Sequence, residues 1–120
     1  SWNSTNTAMN HINKNIQSSD AIISGEIYTY FHTSYYNRTN KEIILLKPKE
    51  ELGWVGEWGL IKKLNTPEIS SLESVKSPRV WLILREKTYD EYKKQVPPYW
   101  QLKQEFHDGD LIIGLYENKK

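Results

Sequence analysis

Arg79-Val80-Trp81-Leu82-Ile83-Leu84-Arg85 sets five apolar residues in succession between two arginines. A strand with one wet face alternates apolar and polar residues. An unbroken apolar run predicts instead a strand buried on both faces, as in the middle of a parallel sheet. Three residues on, Thr88-Tyr89-Asp90-Glu91 has the spacing of a capping box, with Thr88 as N-cap and Glu91 placed to reach back to its amide. The helix so opened would carry Tyr89, Tyr92 and Val96 inward before meeting Pro97-Pro98. A buried strand running straight into a helix is the repeating step of an α/β sheet.

Upstream the same step recurs. Met9, Ile12 and Ile16 stand at i, i+3 and i+7, the stripe of an amphipathic helix that Ser18-Ser19-Asp20 ends. Ala21-Ile22-Ile23 reads as a short buried strand turning through Ser24-Gly25 into a helix over 26–36, with Ile27, Tyr28, Phe31 and Tyr35 on its inward stripe. A second strand over 42–46 stops at Lys47-Pro48. Residues 50–64 mix glycine with tryptophan and read as a loop with room for a short edge strand. Thr66-Pro67-Glu68 has the N-cap and first-turn proline of a helix start, with Ile69 and Leu72 turned inward.

Downstream the period changes to two. Trp100, Leu102, Gln104 and Phe106 alternate with polar neighbours, Asp108-Gly109 signals a hairpin turn, and Leu111-Ile112-Ile113-Gly114-Leu115-Tyr116 returns. The order predicts a three-layer, Rossmann-like α/β sandwich with a mainly parallel sheet and a C-terminal antiparallel hairpin. Residues 1–7 are polar and Asn-rich and read as a linker or entry segment, leaving 8–120 as a single domain. The chain opens at Ser1 without an initiator methionine, which suggests a piece of a longer protein.

Composition narrows the function classes. Sixteen basic against fifteen acidic side chains leave a formal charge of +1, so no overall basic excess points to nucleic acid, and none is expected as a partner. Cysteine is absent, which excludes disulfides, thiolate zinc sites and thiol catalysis. No window approaches the ~18 apolar residues of a membrane span.

Few residues offer chemistry. The turn Ser24-Gly25-Glu26 has one glycine where a dinucleotide fingerprint needs three, and a carboxylate near where phosphate would sit. His11, His32 and His107 fall in different elements without metal-ligand spacing. His107 with Asp108 and Asp110 forms the one local His/Asp cluster, a candidate site set against ordinary turn chemistry. Five Trp and eight Tyr could build a sugar-stacking surface, and Trp54 and Trp58, set among glycines, are the candidates for exposed contact. No catalytic residue and no metal ligand is assigned, and no cofactor is expected in the domain.

Together, Ser19-Asp20-Ala21-Ile22-Ile23, the helix ending Tyr35-Tyr36, the strand 79–83 and the closing Phe106-His107-Asp108-Gly109-Asp110-Leu111-Ile112-Ile113-Gly114-Leu115-Tyr116 resemble the extracytoplasmic C-terminal domain of GT-C membrane glycosyltransferases. These are the protein mannosyltransferase and aminoarabinose transferase group. The resemblance spans about residues 8–118. It implies a non-catalytic accessory domain at the outer face of the membrane, with the membrane part of its own parent chain as partner and a lipid-linked sugar or glycan acceptor nearby. The family's catalytic residues match no position of this chain. Two other readings stand beside it: a carbohydrate- or glycolipid-binding module, and a stand-alone Rossmann-like nucleotide-binding protein with its pocket around Ser24, Lys47 and Arg85.

Overall fold

A computed structural model describes residues 2–47 and 66–120 of the chain, with side chains from Asn6 onward. Ala8, Met9 and Ile12 are fully buried, and the helix they anchor, α1, spans Trp2–Asn15, so helical backbone runs through most of the Asn-rich opening stretch. Lys14 in its last turn suits the negative end of the helix dipole. Strand β1, Ala21–Ser24, follows, then α2, Ile27–Tyr36, and β2, Ile43–Leu46. β3, Glu68–Ile69, leads through a 3-10 turn at Leu72–Ser74 to β4, Arg79–Arg85. A second 3-10 turn at Glu86–Thr88 opens the short helix α3, Tyr89–Lys93, before β5, Trp100–Asp108, and β6, Leu111–Asn118.

The six strands form one sheet in the order β3-β2-β1-β4-β6-β5. The first four are mutually parallel, and β6 and β5 are antiparallel. β4 lies between β1 and β6, where its apolar run meets core on both sides: Trp81 and Ile83 point to one layer, Val80, Leu82 and Leu84 to the other. The first layer is α1 with α2, which supplies Ala8, Met9, Ile12, Tyr30 and Tyr36. The second is the 3-10 turn with α3 and the approach to β5, which supplies Leu72, Tyr92, Val96 and Tyr99. The chain thus has a three-layer, Rossmann-like fold with a mainly parallel sheet and an antiparallel C-terminal hairpin.

Four local expectations are corrected. Thr66-Pro67-Glu68 does not start a helix: Glu68–Ile69 pairs with Leu45 and Leu46, and Leu45 N–H bonds the Pro67 carbonyl at 3.0 Å. The free edge of β2 outcompetes local propensity, and proline is tolerated there because an edge position does not ask for its missing N–H. In α2, Tyr28 and Tyr35 lie outside, 50% and 68% exposed, while Thr29 and Thr33 are buried. The helix packs against α1 as well as the sheet, and Thr33 meets its own polarity by bonding the Thr29 carbonyl at 2.7 Å. Thr88 precedes α3 but caps nothing with its side chain; its hydroxyl bonds Glu26 instead.

The fourth correction concerns the hairpin. Its pairing shifts between Leu102 and Gln104, which leaves Lys103 as an extra residue. A one-residue bulge inverts every later side chain. Trp100 therefore packs with the α3 layer, and Phe106, an even number of residues on, packs with the α1 layer. At the tip Gly109 takes φ 59°, a left-handed value open to glycine without strain.

Candidate functional site

In a parallel sheet the ends that share an environment are the carboxyl ends. Here they are Ser24 of β1, Leu46 of β2 and Arg85 of β4, and the hairpin tip joins them because Leu111 pairs with Arg85. The helices leaving β1 and β4 go to opposite faces: Ile27 of α2 packs with Leu45, and Tyr92 of α3 packs with Leu84. The strand order also reverses there, β2 and β3 lying to one side of β1 and β4 to the other. Such a switch point is where open α/β sheets take ligands.

Four polar side chains converge on it. Arg85 Nη1 donates to Glu26 Oε1 at 2.9 Å, and Thr88 Oγ1 donates to Glu26 Oε2 at 3.2 Å. Asp110 Oδ2 lies 3.6 Å from Arg85 Nε, and the Asp110 carbonyl accepts from Glu86 N–H at 2.7 Å. Glu26 thereby ties the turn after β1 to the turn after β4. Its carboxylate, with that of Asp110 behind it, holds the Arg85 guanidinium protonated more firmly than usual, against the effect of burial.

Beneath this layer Gly25 sits where a Cβ would come 2.6 Å from Leu84 Cδ2 and 3.1 Å from Tyr92 Cδ1. The absent Cβ lets the turn after β1 pass close to the Leu84 and Tyr92 side chains, which a larger residue would press upon. Burial, then the charges of Glu26 and Glu91, push the Tyr92 phenol up to about 12, so it stays protonated. Ser24, fully buried, carries a hydroxyl with no hydrogen-bond partner. A buried hydroxyl left unpaired costs about 1–3 kcal/mol, so its presence at the carboxyl end of β1 marks the position.

The residues singled out from sequence are distributed as follows. Asp110 belongs to the switch-point cluster. His107 points to the α3 side, with Nε2 2.9 Å from Glu105 Oε1, while Tyr89 Oη donates to Glu105 Oε2 at 2.7 Å. Those two bonds, His107 first, hold the Glu105 carboxyl below its ordinary range. Asp108 faces the α1 side, and its Oδ2 is buried without a partner. The turn therefore sends its three polar residues in three directions. Lys47 Nζ lies 3.3 Å from Glu68 Oε1. Trp54 and Trp58 lie outside the described residues. Among the described residues no group of three His, Asp or Glu side chains is gathered to hold a metal.

Sequence reasoning missed two ion pairs. One is Glu26–Arg85. The other lies at the opposite, amino end of the sheet, where buried Asp20 takes Arg79 Nε at 2.9 Å, Arg79 Nη2 at 3.1 Å, Trp81 Nε1 at 2.9 Å and the Gln17 amide at 2.9 Å. Burial pushes that carboxyl up, but the bonds from Arg79, Gln17 and Trp81 outweigh it and hold it below the usual carboxylate value. The parallel register Ala21↔Val80 carried the signal, since it sets Asp20 beside Arg79 and Ser24-Gly25-Glu26 beside Ile83-Leu84-Arg85.

No known family's sequence pattern matches the chain, and no curated protein matches it. Among solved structures it is similar to the 16S rRNA methylase RmtB, with a TM-score of 0.51 at 10% identity, over 97% of this chain and 62% of that one. The chain thus spans under two thirds of that enzyme's length. The Haemophilus influenzae protein HI0767, described as a methylase, aligns over 95% of each chain at 15% identity with a TM-score of 0.39. The likeness to RmtB overturns the assignment to a GT-C glycosyltransferase, and with it the membrane part of a parent chain as partner. Among the described residues no helix is long and apolar enough to cross a membrane. The exclusion of nucleic acid from net charge also falls, beside a fold shared with an enzyme named for rRNA. At this identity the likeness fixes the fold alone: a Rossmann-like sheet of the kind found in a methylase.

Proposed function

We propose that this chain is a Rossmann-like nucleotide-binding protein that takes a nucleoside-bearing ligand at the carboxyl edge of the sheet, between β1 and β4. The observation that carries the reading is the switch point itself, with the buried, unpartnered Ser24 hydroxyl at its floor. Local charge narrows the ligand. Two carboxylates, Glu26 and Asp110, stand around one guanidinium, and the turn holds a single glycine already closed by Leu84 and Tyr92. A pyrophosphate would meet repulsion and no open cradle of backbone amides. A nucleoside with a positively charged tail meets the opposite: each Glu26 oxygen keeps acceptor capacity beyond its one bond to Arg85 or Thr88.

S-adenosylmethionine is the common nucleoside of that charge, and the fold shared with a methylase supports the choice. Glu26 and Asp110 would hold its cationic end and Ser24 would find a polar partner; when bound, it supplies an electrophilic methyl group. The test is a titration of the chain with S-adenosylmethionine, S-adenosylhomocysteine, ATP and NAD, followed by amide chemical shifts. Saturable shifts at Gly25, Glu26 and Glu86 are expected with the two adenosyl amino acids, weakened in Glu26→Gln. Absence of shifts there with all four ligands at millimolar concentration would sink the reading and leave a domain with no cofactor of its own.

A further inference from the structure

Glu26 and Asp110 make the carboxyl edge negative, but one side chain of the protein already offsets much of that charge. Arg85 Nη1 lies 2.9 Å from Glu26 Oε1, and Arg85 Nε lies 3.6 Å from Asp110 Oδ2. Two carboxylates less one guanidinium leave a charge of −1 on the trio. Of the closer pair the arginine is the outer member, with a side chain 32% exposed against 14% for Glu26. A cation arriving from water therefore meets the guanidinium before the carboxylate.

The backbone of Arg85 is held firmly and its side chain is not. Arg85 pairs with Leu111 in the sheet, and the neighbouring Glu86 N–H bonds the Asp110 carbonyl at 2.7 Å. The side chain has a flexible stem and water on one side, and partly exposed ion pairs contribute little to stability. Glu26 has a second anchor that does not involve the arginine, since Thr88 Oγ1 donates to its Oε2 at 3.2 Å. The guanidinium thus joins three segments, the turn after β1, the end of β4 and the hairpin tip, through contacts that are easily broken.

We propose that Arg85 is a built-in latch on the carboxyl edge: its guanidinium occupies the position of the ligand's cationic group in the free protein and swings into solvent when that ligand binds. The inference rests on the nucleotide-binding reading above and supplies its regulation. Only molecules with Arg85 displaced accept the cation, so the latch lowers the apparent affinity by the fraction of molecules that are open.

The Arg85 Nε–H resonance of the parent chain is followed by NMR without ligand and during titration with S-adenosylmethionine. In the free chain this proton should exchange with water several-fold more slowly than that of the exposed Arg38, and saturation should abolish the difference. Arg85→Gln should bind up to about fivefold more tightly, the range for a partly exposed ion pair. Its Gly25 and Glu86 amides should exchange faster than the parent's with no ligand present. Lys103→Gln, which removes one positive charge from the pair with Glu117 on β5, should bind as the parent does.

Saturable binding with the Arg85 Nε–H still protected overturns the latch and leaves the site standing. Weaker binding by Arg85→Gln with a parent-like circular dichroism spectrum does the same and makes Arg85 a holder of the ligand. An equal gain in Lys103→Gln also overturns it, by making net charge the cause. If neither the parent nor Arg85→Gln binds at millimolar ligand, the nucleotide-binding reading falls and the latch falls with it.

Discussion

Asp20 accepts four hydrogen bonds from three residues, two on β4 and one in the turn after α1, while almost wholly out of water. Removing it would strand the Arg79 guanidinium, the Trp81 indole N–H and the Gln17 amide together. Asp20→Ala is expected to lower stability by about 3 kcal/mol, the range for breaking one side of a buried pair, read as a shifted denaturant midpoint at unchanged slope. The folded carboxyl is held below its unfolded value, so its contribution is present above the unfolded value and is lost as pH falls through the folded one. The difference between parent and Asp20→Asn should accordingly shrink as pH is lowered below about 4. Gly25 is the second sensitive residue. Gly25→Val should cost about 2 kcal/mol through overpacking against Leu84 and Tyr92, and Gly25→Val with Tyr92→Leu should recover part of that loss in the same denaturation assay.

At the level of elements the bulge at Lys103 decides which layer the end of β5 serves. Deleting Lys103 would restore simple alternation and turn Phe106 away from His11, on which it now stacks with centroids 4.7 Å apart. A loss of about 3 kcal/mol is expected, as for taking a phenylalanine out of a core, and the ring-current shift of the His11 protons in the NMR spectrum should disappear. What the sequence made legible divides along the same line. β4, α1 and the hairpin turn are written in periodicity and turn residues that are local, and so they could be read. β3 exists because β2 had a free edge, the buried side of α2 is chosen by α1, and Thr88 leaves its capping role because Glu26 is within reach. Each depends on a neighbour distant in sequence. The carboxyl-edge cluster is hidden for the same reason, since Glu26 and Arg85 meet only through the register of β1 on β4.

Across the whole molecule stability should be graded from the centre of the sheet outward. β2, β1, β4 and β6 have partners on both sides, while β3 and β5 end the sheet among the described residues. Amide hydrogen exchange should be slowest for Ile22, Leu82 and Ile113 and fastest among the strands for Ile69 and Gln101. Equal protection across all six strands would show a single opening unit rather than separable edges. The gradient bears on the carboxyl-edge site. The switch point lies over the two central strands and is held in place by them, a rigid base of the sort that ligand recognition needs. α2, by contrast, presents its tyrosines from the outermost layer.

The pairing of β1 with β4 also sets a schedule. Ile22 lies beside Trp81, and a ribosome adding roughly 5–20 residues per second needs several seconds to travel from one to the other. Through that interval β1 has an open edge and α1 has only part of its floor. The emerging chain therefore carries a bare strand edge during synthesis, at the position where the finished protein has its most buried one.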